Sequence, residues 1–279
     1  MAESDEAGAK PNRWHTPYLL LLPGLAALIF FFILPLFSIA KLSLKGGGLS
    51  NYPKVLTDNW DVIVRTFEFS GLATLGAILI GYPLAYFIAM RGGRYKNLLL
   101  AMVVLPFFVT YLVRTLAWKI LLYDGGPAVS ILHGLHLLPQ DQALLGTDFA
   151  VVFALLYNFL PFMVLPIYVS LEKLDRRLLE AASDLYASPQ RAFRKVTLRL
   201  SLPGIFAGTL LTFIPASGDF INAELLGSDK QVMIGNIIEK NFGKEFFRPE
   251  LSALSFMLMG LILVGVLVYA KVLGTEDLA

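Results

Sequence analysis

Apolar residues along the chain gather into six stretches, 18–40, 67–90, 98–122, 149–170, 202–220 and 251–273, and most of the charge lies between them. A helix crossing a bilayer needs about 20 mostly apolar residues, so each stretch predicts one spanning helix, the fifth being the shortest. A β-barrel would instead show segments of about 10 residues alternating apolar and polar, and these stretches have no such alternation. The first opens after a polar segment, 1–16, that mixes acids and bases. It is long and lacks a small-residue cleavage pattern, so it reads as a retained helix rather than a secretion signal. The expected architecture is all-α, with a polar tail at 1–16 and six transmembrane helices in 17–279.

Composition agrees. Of 279 residues, 56% are apolar and 16% charged, with a mean hydropathy of +0.67. Soluble domains carry about 45–50% apolar and about 25% charged residues, which excludes a water-soluble enzyme. A disordered chain needs low hydrophobicity and high charge. Cysteine is absent, and His15, His133 and His136 are too scattered for a metal centre. No Ser/His/Asp set stands out, so an intramembrane enzyme is not expected.

Bases near span ends set orientation. Arg91, Arg94 and Lys96 follow the second stretch without an acid, and Lys173, Arg176, Arg177, Arg191, Arg194, Lys195 and Arg199 follow the fourth. Both links are expected in the cytoplasm, with the tail bases Lys10 and Arg13. Segment 123–147 has no Lys or Arg, and 219–250 holds six acids (Asp219, Glu224, Asp229, Glu239, Glu245, Glu250) against four bases. Those two are expected outside. Lys41, Lys45, Lys54 and Arg65 argue the other way, because six spans put them outside too. The other loops outweigh them, so both termini are placed inside.

Pro and Gly interrupt the stretches at Pro23, Pro35, Gly81, Pro83, Pro106, Pro161, Pro166, Pro215 and Gly218. Most read as packing kinks, whose freed carbonyls neighbouring helices must satisfy. The fifth stretch is short, broken by Pro215-Ala216-Ser217-Gly218, and meets Asp219, a pattern from which transport pathways are often built. A base at a helix centre costs about 2.5–3.5 kcal/mol. Lys119 lies near an end and can snorkel. Arg114 lies about 24 Å along a helix from Leu98, where it either lines a path or pairs with an acid of another helix. Asp219 is also about 24 Å along from Pro203, near the outer surface. With Glu224 it would attract cations by focusing the field, or the two acids simply end the helix in water.

Residues 171–205 read LEKLDRRLLEAASDLYASPQRAFRKVTLRLSLPGI. After Asp175, a candidate N-cap, Leu178, Leu179, Ala182, Leu185 and Tyr186 share one helical face. Ser188-Pro189 offers a second N-cap with proline at the first helical position. Phe193, Val196 and Leu200 then form another apolar stripe among bases. Two short amphipathic helices either lie on the membrane surface or dock into a soluble partner.

The run Glu180-Ala181-Ala182, then Ala187-Ser188, then Leu202-Pro203-Gly204-Ile205 resembles the EAA loop of bacterial ABC importer permeases. The resemblance implies a coupling loop at 171–203 seated in a cytoplasmic ATPase, with Glu180, Ala181 and Ala182 at the contact and Ser188 and Pro203 completing the motif. Two positions depart from the pattern. Tyr186 stands where relatives ordinarily have glycine, and a positive φ there would strain it by about 1–3 kcal/mol. Arg199 stands where relatives often carry proline. Segments 81–89, 105–122, 161–175 and 213–238 further resemble the spermidine/putrescine permeases of that family, so the likeness runs from about Leu19 to the last span.

The resemblance implies a permease subunit of a polyamine importer in the bacterial plasma (inner) membrane. Its implied partners are an ATPase dimer, a second and different permease subunit, an extracytoplasmic polyamine-binding protein and membrane lipid, with no nucleic acid. No cofactor is expected in this chain. It lacks a GxxxxGK[ST] phosphate loop, so ATP and Mg belong to the partner ATPase. Aromatic faces attract cations, which makes Asp219 and Glu224, with Tyr111, Trp118 and Phe220, the expected substrate path. A permease for an iron complex, sulfate, thiosulfate or phosphonate is the alternative, and Arg114 leans that way. A secondary carrier would show an inverted repeat and midplane charges, and no internal repeat is evident.

Overall fold

A computed structural model describes residues 16–139, 142–242 and 248–273. The expected tail with Lys10, Arg13 and His15, and the acid Glu245, lie outside the described residues, as does the side chain of Arg176. The helices are α1 (Thr16–Leu28), α2 (Leu34–Ser43), α3 (Asn51–Asp58), α4 (Trp60–Arg91), α5 (Lys96–Val104), α6 (Tyr111–Leu122), α7 (Pro127–Gly134), α8 (Asp148–Glu172), α9 (Arg176–Asp184), α10 (Pro189–Ala192), α11 (Leu198–Ser217), α12 (Ile221–Leu226), α13 (Ile234–Phe242) and α14 (Pro249–Leu273). A π turn, Ile29–Ile33, joins α1 to α2 without breaking the rod, and another, Phe193–Thr197, joins α10 to α11.

Among the described residues, five helical segments are long and apolar enough to cross a membrane: Leu21–Ser43, Trp60–Arg91, Asp148–Glu172, Pro189–Ser217 and Pro249–Lys271. The third expected span is different. It is split into Gly93–Phe108 and Tyr111–Gly134, bent by 92° to each other, and counting that pair as one span makes six. The expectation of one straight helix at 98–122 is therefore corrected. Pro106 has no N–H to continue the α-helical ladder, and α5 ends at Val104, although Leu105 itself is still helical (φ −50°, ψ −43°). A tight turn, Leu105–Phe108, comes next, and Val109 and Thr110 are extended (ψ 135° and 144°) before α6 begins.

The core is a triad in which α4 and α11 pack on α8 and on each other. Two of its faces are built from small residues. In α4 the buried positions include Thr66, Ser70, Ala73, Thr74, Ala77, Gly81 and Ala85; in α11 they are Ser201, Gly204, Gly208, Thr212, Ala216 and Ser217. The facing positions of α8 are larger, among them Leu155, Phe159, Met163, Ile167 and Leu171. Small residues let helix backbones approach closely where lipid supplies no hydrophobic drive to associate. A Cβ added to Gly204 would lie 2.6 Å from the Pro166 carbonyl oxygen and the Ser170 Oγ. Three hydroxyls of α4 inside this core bond within their own helix: Thr66, Ser70 and Thr74 donate to carbonyls one turn back at 2.6–2.7 Å.

Around the triad, α14 packs on α2 and α3. The first span is the most peripheral, with no residue of its apolar window buried by this chain. Asn51 Nδ2 donates to the Ser43 and Lys45 carbonyls at 2.8 and 3.0 Å, tying α3 beneath the end of α2.

The two ends of the bundle sort the loops. At one end Lys96 Nζ and Glu172 form an ion pair of 2.5 Å, and the Phe193 ring packs edge-on against Tyr82 and Tyr86. At the other, Arg65 donates to the Val232 carbonyl at 3.3 Å, Ile234 N–H to Thr66 Oγ1 at 3.0 Å, and Gln231 Nε2 to Asp148 at 2.7 Å. The bases of 41–65 thus share an end with the acidic segment 219–250, as six crossings require. Lys54 and Asp58 line a cleft of about 300 Å³ there with Arg248 and Glu250.

Gly204→Val should destabilise the bundle by at least about 1–3 kcal/mol through overpacking. Gly265→Val, in α14 with nothing within 4 Å, should be nearly silent. Thermal unfolding of the two detergent-solubilised variants against the parent decides this, and equal stability would show that the α8–α11 contact is loose.

Candidate functional site

The bend in the third span brings α6 against α8 and α12, and polar side chains meet at that junction. Gly218 ends α11, and its N–H and that of Asp219 bond back to Pro215 and Ala216 carbonyls at 3.2 and 3.3 Å. Asp219 then turns into α12, where its Oδ1 accepts the Asn222 N–H at 2.9 Å. Its Oδ2 accepts the Tyr111 hydroxyl at 2.5 Å. Both carboxylate oxygens are engaged, and the residue is only 8% exposed.

A chain of amides extends inward from this pair. Asn222 Nδ2 donates to the Tyr111 oxygen, and Asn222 Oδ1 accepts from Thr115 Oγ1 at 3.1 Å and Asn158 Nδ2 at 3.0 Å. Four elements therefore share one network: α6 through Tyr111 and Thr115, α8 through Asn158, α12 through Asn222, and the α11–α12 turn through Asp219. Asn158 Oδ1 is buried without a hydrogen-bond partner. Beside the network Arg114 is 7% exposed, with its guanidinium carbon 5.1 Å from the Phe107 ring centre and 5.6 Å from that of Tyr111. Its Nε and Nη1 have no hydrogen-bond partner. Two ring faces attract the charge by about 0.5–2 kcal/mol each but do not satisfy its N–H groups.

The expected path residues thus divide. Asp219 is not at a wet helix end; α6 and α12 fold over it, which distance along α11 does not reveal. Glu224 does not join it. That acid, on the first turn of α12, pairs with Lys240 at 3.3 Å on the partly exposed side and accepts from Asn236 Nδ2 at 3.3 Å. The two acids expected to act together have separate surroundings. Phe220 presents an exposed ring, while its carbonyl accepts from Asn236 at 2.8 Å. Trp118 packs edge-on against Phe153 and Tyr157 at 4.7 and 5.2 Å. Tyr111, ranked behind the acids from sequence, stands at the centre. Thr115, Asn158 and Asn222 were missed, although Asn158 is the one amide in the apolar run 149–170, a rare residue in lipid that normally bonds across helices.

The segment after α8 has its own local logic. Asp175 Oδ1 accepts the Arg177 N–H at 2.9 Å and caps α9, which carries exposed Glu180 and Ala181 and half-buried Ala182. At its end the Ala187 N–H reaches the Ala182 carbonyl at 3.0 Å and Tyr186 N–H the Ser183 carbonyl at 2.9 Å. Tyr186 takes φ +56°, the left-handed geometry usually left to glycine at this helix-ending position. Its side chain is 96% exposed. Ser188 Oγ caps α10 by accepting from the Arg191 N–H at 3.4 Å, with Pro189 at the first helical position. The second amphipathic segment is not a separate short helix as expected, because Pro189–Ser217 continues into the fifth span, with Pro203 inside α11. Helix α9 is separate from the spans, and Leu178 within it and Leu185 and Tyr186 just after it are uncovered by this chain.

Residues 77–272 match the family of binding-protein-dependent transport system inner membrane components. The spermidine/putrescine transport system permease protein PotB of Haemophilus influenzae is 37% identical over 256 residues, spanning 88% of this chain and 89% of the relative. PotB of Escherichia coli is 38% identical over 70% of this chain and 71% of its own length. In structure, a chain of a bacterial ABC transporter involved in import of the acidic polysaccharide alginate superposes with a TM-score of 0.74 at 17% identity, covering 94% of this chain and 95% of the other, a likeness of fold. The chain belongs to the inner-membrane permease components of binding-protein-dependent transport systems.

Proposed function

We propose that this chain forms, with a second permease subunit, the path of an ATP-driven polyamine importer, and that its Asp219–Tyr111 pair receives an ammonium group of the solute. The observation that carries this reading is a buried carboxylate whose outer oxygen is held by a tyrosine hydroxyl. An arriving ammonium replaces that hydroxyl as donor, so the carboxylate need never stand bare in a low-dielectric site, where an unpaired charge is costly. Identity of 37–38% to spermidine/putrescine permeases supports the choice of solute. Phe220 and Glu224, at the uncovered edge of the same turn, would offer the approach, and Trp118 would stiffen α6 against α8.

In the same reading residues 1–16 and both termini face the cytoplasm and 17–279 form the membrane domain. An ATPase dimer seats on the loop 171–203, and an external binding protein delivers the solute. ATP and Mg act in the ATPase. The exposed Leu178 of α9, with Leu185 and Tyr186 just beyond its end, suits a helix laid into a groove of a partner, with Glu180, Ala181 and Ala182 at the contact and Ser188 holding the return into the fifth span. An anionic solute is the second reading, favoured by the unpaired Nε and Nη1 of Arg114.

Asp219→Asn should lower ATP-driven polyamine uptake by about tenfold or more, the loss expected for one charge-assisted hydrogen bond, while the assembled complex is recovered in normal yield. Reconstituted vesicles offered a panel of polyamines and anions measure it. Normal polyamine uptake by Asp219→Asn removes the assignment. Anion uptake lost in Arg114→Gln favours the second reading.

Glu180→Lys should release the ATPase or uncouple hydrolysis from uptake without affecting membrane insertion. Co-purification and hydrolysis assays report both, and a fully coupled complex would contradict the docking role.

A further inference from the structure

Within the later part of segment 171–203, after α9, lies a feature that the transport path does not use. Ser188, Gln190, Arg191, Arg194, Lys195 and Arg199 line a cleft of about 490 Å³ at the start of the fifth span. Its four bases are spaced by three, one and four residues, so they form a single stripe along the helix. No acid lines the cleft, and none of the four bases forms an ion pair among the described residues. Four cations held side by side repel one another, and the arrangement is relieved by an anion between them.

The opposite side of the same helix is fixed. Phe193 lies edge-on to Tyr82 and Tyr86, Thr197 is buried, and Ser201 Oγ lies 3.0 Å from the Tyr82 hydroxyl. The basic stripe is thereby turned away from the bundle. Three residues beyond Arg199 the stripe continues as Leu202, which is exposed, as is neighbouring Leu200. Within about one turn an outward helix face changes from bases to leucines, at the end of a segment long and apolar enough to span a bilayer. That change of polarity is the one met at the boundary between lipid headgroups and acyl chains.

We propose that this cleft binds the phosphate of an anionic phospholipid headgroup, with an acyl chain lying along the face that continues at Leu202. Arginine forks match phosphate oxygens in pairs, and basic pockets beside membrane helices are suited to anionic headgroups. Ser188 and Gln190 add neutral groups able to bond the rest of the head. The lipid would brace the helix start that returns from α9, so the site concerns the fixed end of the coupling segment, not the solute. It stands whichever solute is carried.

The test uses the assembled transporter in nanodiscs of equal phosphatidylglycerol and phosphatidylcholine, with retained lipid read by native mass spectrometry. The parent should hold phosphatidylglycerol in preference, and Arg191→Gln/Arg194→Gln/Lys195→Gln/Arg199→Gln should reduce that preference about tenfold. Arg91→Gln/Arg94→Gln, which removes bases from the same end of the bundle but not from the cleft, should keep it. The single variants Arg191→Gln and Arg199→Gln should each show a partial loss, which serves should the fourfold variant not insert. Equal retention in parent and fourfold variant, or equal loss in the control, overturns the proposal. So does displacement of the lipid by millimolar inorganic phosphate or glycerol phosphate, which would identify a site for soluble phosphate. Loss of the ATPase with lipid retention unchanged also overturns it, by identifying a protein-binding surface.

Discussion

The close approach of α4 and α11 to α8 is the constraint on which the rest depends. Lipid is as apolar as the side chains it touches, so these helices gain little by hiding leucines from it. They are held by contact at short range. Gly81 faces Met163 and Val164, and Gly208 faces Met163, at separations that a Cβ would reduce to 2.9–3.3 Å. Large residues on the central helix fill shallow grooves on its two neighbours. The serine and threonines of α4 fit the same grooves because their hydroxyls bond within their own helix, whereas Thr212 Oγ1 of α11 is buried without a partner. The same economy explains why so many large apolar residues remain uncovered: Phe30, Phe31, Phe37, Phe108 and Leu267 face out of this chain.

Once that triad is set, the polar junction at its edge is set with it. A straight third span would run past the end of α11, leaving Asp219 to water. The bend at Val109–Thr110 instead turns Tyr111 toward Asp219 and carries Arg114 into the cluster. A buried carboxylate, four amide or hydroxyl side chains and an arginine with free N–H groups make an arrangement in which most, but not all, valences are met. Buried polar groups left without partners are uncommon, and here Arg114 and Asn158 both have them. Such a cluster resists collapse into a purely structural knot, because one of its members can always gain by a new neighbour.

The fold class and number of crossings were legible in the sequence because they depend on totals: run length, hydropathy and the placement of bases. The helix starts after α8 were legible as well, since Asp175 and Ser188 signal them through local chemistry that needs no neighbour, and both caps are present. The bend was not, because an apolar run reads the same whether straight or folded at Pro106. The surroundings of Asp219 were hidden for a related reason. Helical rise fixes height along α11 but says nothing of which side chain returns over it, and Tyr111 does so from 108 residues away. Glu224 shows the limit of grouping acids by closeness in sequence. Five residues separate it from Asp219, yet the turn between them sends one to Tyr111 and the other to Lys240.

Tyr186 connects local strain with the mechanics of the segment. Left-handed backbone at a residue with a large side chain is held only when its surroundings over-determine it, and here the surroundings are few: two bonds closing α9 and a cap opening α10. The side chain itself touches little, at 96% exposure. Glycine would sit there with less strain, so the ring is retained at some expense in backbone energy and faces outward beside Leu185. Just before α9, Glu172 closes the central helix and is clamped to Lys96; just after it, Phe193 is gripped by α4. The segment is therefore fixed at both roots and bare at its tip. On the proposed reading a push at that tip enters through α8, the one helix that carries both the clamp at Glu172 and Asn158 of the polar junction, about 21 Å apart along a continuous rod.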